Sequence, residues 1–259
     1  MSDYLDVLAH VAQITIEGEY YENAKASESL HLSLRKAILQ DQSNPVITEI
    51  KIASPSSGII RKKVDAGEVA RAMQRGGAVA LSVLTEPKHF DGSLEALAEA
   101  RKAVQIPILM KDIILSPVQL YAANKIGANA VLLIKALFDR GYCDRTLDEM
   151  IAGAHILGLE VLLETHTETE FQSAVKTDAD FVGINNRDLA TLKVDLNVTK
   201  KILEKNGSNG KPVVSESGIA TPADILFLRG SGARAFLVGT AIMSASNIEE
   251  KVREFVIAK

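Results

Sequence analysis

From residue 46 onward, short runs rich in Val, Ile and Leu alternate with longer stretches whose apolar residues recur at helical spacing. Parallel strands joined by crossover helices give this alternation. The pattern predicts eight strands: Val46–Lys51, Val79–Leu84, Pro107–Lys111, Asn129–Ile134, Glu160–Glu164, Asp180–Asn185, Lys211–Glu216 and Arg234–Gly239. The intervals hold a helix and two loops each, and no extra domain. One interval shows the expected helix punctuation, with Thr221 as N-cap, Pro222 in the first helical position and Gly230 after the end. Eight evenly distributed units favour an α/β fold closed into a single (β/α)8 TIM barrel over residues 45–259. Residues 1–44 read as an N-terminal helical extension of the same domain. Its helices, roughly Tyr4–Gly18 and Glu28–Leu39, either plug one mouth of the barrel or cover its substrate opening.

An open doubly wound sheet is the rival architecture, and Gly230-Ser231-Gly232-Ala233-Arg234-Ala235 matches its dinucleotide fingerprint. That fingerprint needs a strand before it and a helix after it, whereas here the predicted helix precedes and the strand follows. Composition narrows the field further. The 259 residues carry 29 basic and 33 acidic side chains, a net charge of −4, which gives no basic field for a duplex or an anionic membrane. Nucleic-acid and membrane partners are therefore not expected. A lone cysteine, Cys143, and an acidic N-terminus with Asp3 and Asp6 make the cytoplasm the default compartment. His166 lies two residues after Glu164, but no second His or Cys stands at metal-ligand spacing, so it reads as loop polarity and no metal site is expected.

The strand ends are unusually charged. Glu49 and Lys51 share a face of the first strand, Lys111 ends the third, Glu164 the fifth and Glu216 the seventh. All four strands are odd-numbered, and an interior layer of such a barrel draws its side chains from alternate strands. Two lysines and three carboxylates are thus expected in one cavity at the C-terminal mouth, where burial and pairing shift proton affinities toward acid and base chemistry. A second constellation is the pair of small-residue turns Ser217-Gly218 and Gly239-Thr240 after strands seven and eight. Loops in these two places often hold a phosphate on exposed backbone amides, which points to a phosphorylated small-molecule substrate.

Several segments resemble indole-3-glycerol-phosphate synthases. They are Glu49-Ile50-Lys51-Ile52-Ala53-Ser54-Pro55-Ser56, Leu84-Thr85-Glu86 with Phe90 and Gly92-Ser93, Ile108-Leu109-Met110-Lys111-Asp112, Gly183-Ile184-Asn185-Asn186-Arg187-Asp188-Leu189 and Ser215-Glu216-Ser217-Gly218-Ile219. The resemblance spans residues 29–257, with the motifs in order at the strand ends. It implies a barrel enzyme of tryptophan biosynthesis, a carboxy-lyase that converts 1-(2-carboxyphenylamino)-1-deoxyribulose 5-phosphate to indole-3-glycerol phosphate without a cofactor. Contact with other tryptophan-pathway enzymes is open to such a protein but not derivable from the residues.

Matched residue by residue, the resemblance makes Lys111 the general acid of ring closure and Glu164 the general base of the later dehydration. Glu49 and Lys51 match a second acid and base pair, and the division of the dehydration between the pairs stays open. Asn185 and Arg187 suit the anthranilate carboxylate, Glu216 fixes the lysines and a substrate hydroxyl, and Phe90 and Leu132 wall the aromatic pocket. Ser54, Ser217, Gly218, Gly239 and Thr240 hold the phosphate end. Two departures stand out: Ile52 replaces a frequent basic residue, and Ile113 follows Lys111-Asp112 where an aromatic is common. The family's N-terminal helix commonly closes over the substrate, but residues 1–28 match weakly and the chain has no tryptophan, which leaves Tyr4, Tyr20 or Tyr21 as substitutes. The alternatives are another phosphate-binding barrel enzyme such as phosphoribosylanthranilate isomerase, a Schiff-base aldolase, or a phosphate-binding barrel without catalysis. The aldolase needs a neutral lysine, whereas both lysines have carboxylates at neighbouring strand ends.

Overall fold

A computed structural model describes residues 3–27, 30–54, 58–61, 64–188 and 190–259. Its strands are β1 (Val46–Ile50), β2 (Ala53–Ser54), β3 (Gly58–Ile59), β4 (Ala80–Leu84), β5 (Ile108–Lys111), β6 (Ala130–Ile134), β7 (Glu160–Thr165), β8 (Phe181–Asn185), β9 (Val213–Glu216) and β10 (Ala235–Val238). The helices are α1 (Tyr4–Glu17), α2 (Leu34–Gln40), α3 (Ala66–Arg75), α4 (Leu94–Ala103), α5 (Pro117–Lys125), α6 (Lys135–Asp139), α7 (Leu147–Ile156), α8 (Glu168–Ala174), α9 (Asn197–Asn206), α10 (Pro222–Gly230), α11 (Thr240–Met243) and α12 (Ile248–Val256). β1 and β4 to β10 pair in parallel in chain order and close when β10 meets β1, so the eight predicted strands form the predicted barrel. β2 and β3 make a small antiparallel hairpin beyond β1, which two-residue strands leave without a periodic signal. Among the described residues no helix is long and apolar enough to cross a membrane.

Alternation along the strands sorts the core into two parts. Val46 and Ile50 of β1, Ile108 and Met110 of β5, and Val161 and Leu163 of β7 face the helices, whereas Ile47, Leu109 and Leu162 fill the barrel. On β9, Val213 faces out and Val214 in. Two residues beyond each inner apolar side chain, on the same face, come Glu49, Lys111, Glu164 and Glu216. The barrel is therefore a packed apolar plug low down and a charged chamber at its C-terminal mouth.

The two N-terminal helices do both of the things open to them. α2 closes the lower mouth: Leu34 and Ile38 join the interior cluster, the Arg35 amide donates to Glu160 Oε2 at 2.8 Å at the start of β7, and Arg234 Nη2 donates to the Ile38 carbonyl at 2.8 Å just before β10. It starts at Leu34, later than sequence predicts, because Ser33 is its N-cap and accepts from the Lys36 amide. α1 lies over the upper mouth. Asp3 caps it, and the Arg140 guanidinium beyond α6 holds Asp3 Oδ1 and Asp6 Oδ1 at 2.7 Å each. The Tyr4 hydroxyl meets His89 Nδ1 at 2.9 Å, and Tyr142 donates to Asp6 Oδ1 at 2.9 Å.

Between α10 and β10 the chain runs helix first and strand second through Gly230–Ala235, as the argument against a dinucleotide fingerprint requires. Thr221 caps α10 and Pro222 opens it, while the helix runs through Gly230, one residue further than predicted, to a cap at Ser231.

Candidate active site

Glu49, Lys51, Lys111, Glu164 and Glu216 all line one cavity of about 400 Å³ at the upper mouth. Lys111 Nζ sits 3.1 Å from Glu164 Oε2 and 3.4 Å from Glu216 Oε2, and Lys51 Nζ sits 2.9 Å from Glu49 Oε1. Two glycines make room for this crowding. A Cβ at Gly183 on β8 would stand 2.2 Å from Glu216 Oε1, and one at Gly239 would stand 2.6 Å from Glu49 Oε1.

Burial opposes a charged Lys111, but Glu164, Glu216 and Glu49 outweigh it and hold the ammonium form well above the usual lysine range. One lysine between two buried carboxylates cannot keep both ionised equally well. Burial raises Glu216, with Glu164 and Glu49 adding to the rise against the pull of Lys111. Burial works against Glu164 too, but Lys111, His166 and a hydrogen bond from Asn185 hold it below the usual carboxylate range. The geometry sets a charged acid, Lys111, between two carboxyl groups of opposite tendency, Glu164 held low and Glu216 pushed high.

His166 is where the sequence reading is corrected. It is no solvated loop residue: its side chain is 8% exposed and Nε2 lies 3.3 Å from Glu164 Oε1. It turns inward because Glu170, on the first turn of α8, accepts from the His166 amide at 2.8 Å and stands 3.7 Å from Nδ1.

The remaining expected residues mostly meet at the same cavity. Phe90, Leu132, Asn185, Arg187, Ser217, Gly218, Gly239 and Thr240 line it. Asn185 Oδ1 accepts from the Arg187 amide at 3.0 Å, and Arg187 Nη1 donates to the Leu192 carbonyl at 2.8 Å, so the two side chains are braced by their own loop. Ser217 and Gly218 are both left-handed, at φ 68° and 84°, which turns the chain abruptly at the end of β9; for a serine that conformation is strained. The backbone of Ser54 lies in β2, and its side chain is outside the described residues.

A model of the indole-3-glycerol phosphate synthase family matches residues 5–255. The indole-3-glycerol phosphate synthase of Desulforamulus reducens is 42% identical over 224 residues, 86% of this chain and 83% of that protein. That of Methanocaldococcus jannaschii is 42% identical over 254 residues, 97% of this chain and 92% of the relative. The chain belongs to the indole-3-glycerol phosphate synthase family. Fold likeness reaches further. A thiamine phosphate pyrophosphorylase from Pyrococcus furiosus superposes with a TM-score of 0.62 at 19% identity, covering 86% of this chain and 96% of that one. An N-acetylmannosamine-6-phosphate 2-epimerase from Clostridium perfringens gives 0.61 at 16%, covering 83% and 93%. These two share the barrel architecture.

Within the synthase family the departures now have places. Tyr4 lines the cavity with Leu5 and Leu8 of α1, whereas Tyr21 is buried behind the wall and donates to Asp112 Oδ1 at 3.0 Å. Tyr20 donates to the Thr85 carbonyl at 3.3 Å, also behind the wall. Of these three tyrosines, Tyr4 is the one that stands over the opening. Ile113 lines the cavity and is buried, while Ile52 has a structural part, its carbonyl accepting from the Ile60 amide at 2.8 Å.

Three supporting residues stood inside the quoted motifs without an assigned part. Asp112 lines the cavity beside Lys111 and is pushed up to about 6 by burial, against hydrogen bonds from Thr85, Ile113 and Tyr21. Glu86 collects the amides of Lys88, His89 and Phe90 at 2.8, 2.7 and 3.1 Å and so sets the loop that carries Phe90. Asn186 donates to the carbonyls of Glu216 and Ser217 at 2.9 and 3.1 Å and accepts from Thr199 Oγ1 at 2.7 Å, tying the turn after β9 to α9. Polar residues side by side in these motifs give no sign of which one faces the substrate and which one braces it.

Proposed function

We propose that the charged chamber carries out ring closure, decarboxylation and dehydration of 1-(2-carboxyphenylamino)-1-deoxyribulose 5-phosphate in tryptophan biosynthesis, with Lys111 as acid and Glu164 as base. The observation that carries this reading is one ammonium, Lys111, within 3.1 and 3.4 Å of two carboxylates in a cavity also lined by both small-residue turns. As the ring carbon bearing the carboxylate attacks the ketone, negative charge grows on the ketone oxygen; Lys111 meets that charge and delivers the proton. Carbon dioxide then leaves the ring carbon and restores the aromatic system. In the dehydration a lysine of the chamber delivers a proton to the hydroxyl, which leaves as water, and Glu164 accepts the proton lost from the neighbouring ring carbon beside the nitrogen as the ring double bond forms; Glu49 with Lys51 forms a second acid and base pair on the same wall.

Substrate orientation follows from the lining. Phe90, Leu132, Ile113 and Tyr4 give the anthranilate ring an apolar wall. Arg187 and Asn185 suit the anthranilate carboxylate, and the turns at Ser217-Gly218 and Gly239-Thr240 suit the phosphate. No cofactor enters this scheme.

Inorganic phosphate is therefore expected to compete with substrate. Gly218→Ala, whose new Cβ would meet Val194 Cγ1 at 2.1 Å in a left-handed backbone, should raise KM by at least about tenfold, the scale of one lost charge-assisted hydrogen bond. Gly239→Ala should lower kcat as well as raise KM, because its Cβ would press on Glu49 Oε1 at 2.6 Å. Steady-state kinetics of both folded variants checks this; unchanged KM in both, with no inhibition by phosphate, moves the phosphate end elsewhere.

A further inference from the structure

The Glu164 carboxylate has two oxygens, and each meets a cationic partner. Oε2 lies 3.1 Å from Lys111 Nζ, and Oε1 lies 3.3 Å from His166 Nε2. Beyond the imidazole, Glu170 Oε2 accepts from the His166 amide at 2.8 Å and stands 3.7 Å from Nδ1, so a single carboxylate on α8 holds the main chain of the histidine by a hydrogen bond and faces its ring at ion-pair distance. His166 is absent from the cavity lining, whereas Glu164 is part of it. The imidazole therefore stands behind Glu164 as seen from the cavity.

We propose that His166 is a positioning residue for Glu164: its imidazolium fixes the carboxylate oxygen that Lys111 does not hold, and Glu170 fixes the imidazolium. The inference rests on the reading of Glu164 as the base of the dehydration. Two cations on separate oxygens fix the rotation of the carboxyl plane, which one lysine alone leaves free. They also keep the group ionised, and a base must be ionised before it can take a proton.

The groups that bear on the imidazole are Glu164 from β7, Glu170 from α8, Asp188 in the loop after β8 and, beyond Glu164, Lys111 from β5. Burial disfavours the charged ring, but Glu164 and Glu170 outweigh it and raise the histidine to about 9. The sign follows. A histidine raised above its ordinary value is charged at neutral pH and loses its charge as pH rises through about 9.

The test compares kcat and KM of wild type, His166→Gln, Glu170→Gln and Glu164→Gln across pH. His166→Gln should lower kcat at neutral pH by about tenfold or more, the scale of a reacting group held out of place, while KM stays within about twofold. The ratio of wild-type to variant kcat should then fall toward one above about pH 10, where the wild-type imidazole is neutral too. Taking the ratio cancels the titrations that the substitution leaves unchanged. Glu170→Gln keeps the imidazole and an acceptor for the His166 amide but removes the outer anion, so its rate should drop at lower alkaline pH than wild type does; this arm stands even where His166→Gln fails to fold. An inactive Glu164→Gln together with a deficit in His166→Gln that is absent, or constant with pH, overturns the positioning role and leaves the base intact. An active Glu164→Gln overturns both.

Discussion

Lys111→Ala should lower kcat by at least about 10³-fold while the barrel stays folded. Loss of a general acid is worth about 10²- to 10⁴-fold, and loss of a preorganised charge beside a developing oxyanion is worth about 10²- to 10³-fold more, with partial overlap between the two. The fold should survive because the apolar layer beneath, Ile47, Leu109, Leu162 and Val214, is untouched. Removing the ammonium leaves Glu164 and Glu216 as buried neighbours without their shared cation, so both carboxyl groups should bind protons more readily, Glu164 less so because His166 remains. Turnover and thermal melting together check the expectation. More than a tenth of wild-type kcat in the variant removes Lys111 from the acid role.

Glu164→Gln is expected to cost about 10²- to 10⁴-fold in kcat with little change in KM. The amide keeps the shape of the side chain and removes its charge. Lys111 keeps Glu216 at 3.4 Å and the field of Glu49, so it should remain an ammonium and ring closure should remain possible in a single turnover. The block should then fall after ring closure. A rapid-quench experiment should find the ring-closed, decarboxylated intermediate accumulating in this variant; an undiminished steady-state rate transfers the base role to Glu49 with Lys51.

Much of this was legible in the sequence because a parallel barrel turns alternation into position. Once Ile47, Leu109, Leu162 and Val214 are read as inward-facing, Glu49, Lys111, Glu164 and Glu216 must follow on the same face two residues later. That rule placed the chamber and these four charges without any side-chain coordinate. It could not say that Lys111 would take two carboxylates and Lys51 one, because that depends on how far neighbouring strands are staggered around the barrel. His166 escaped for a different reason: past the end of β7 the period-2 rule stops, and the ring is turned inward by Glu170, four residues on in a helix whose start no strand pattern fixes. The glycines were read as turn formers and anion-binding positions. Gly239 also makes room for Glu49, a contact between strands that are neighbours only because the barrel closes. The N-terminal helices were legible as helices but not as to place, since an amphipathic helix fits either mouth equally well; Arg140 beyond α6 for α1 and Glu160 before β7 for α2 decide it.

The chain has no tryptophan, so its own emission comes from five tyrosines, and an indole product should be visible above that background. The most direct measurement mixes the enzyme with the carboxyphenylamino substrate in phosphate-free buffer, without metal or nucleotide, and follows indole fluorescence continuously. Emission should rise with a rate proportional to enzyme concentration, and Lys111→Ala should abolish the rise. A flat trace from folded wild-type enzyme at saturating substrate would contradict the account.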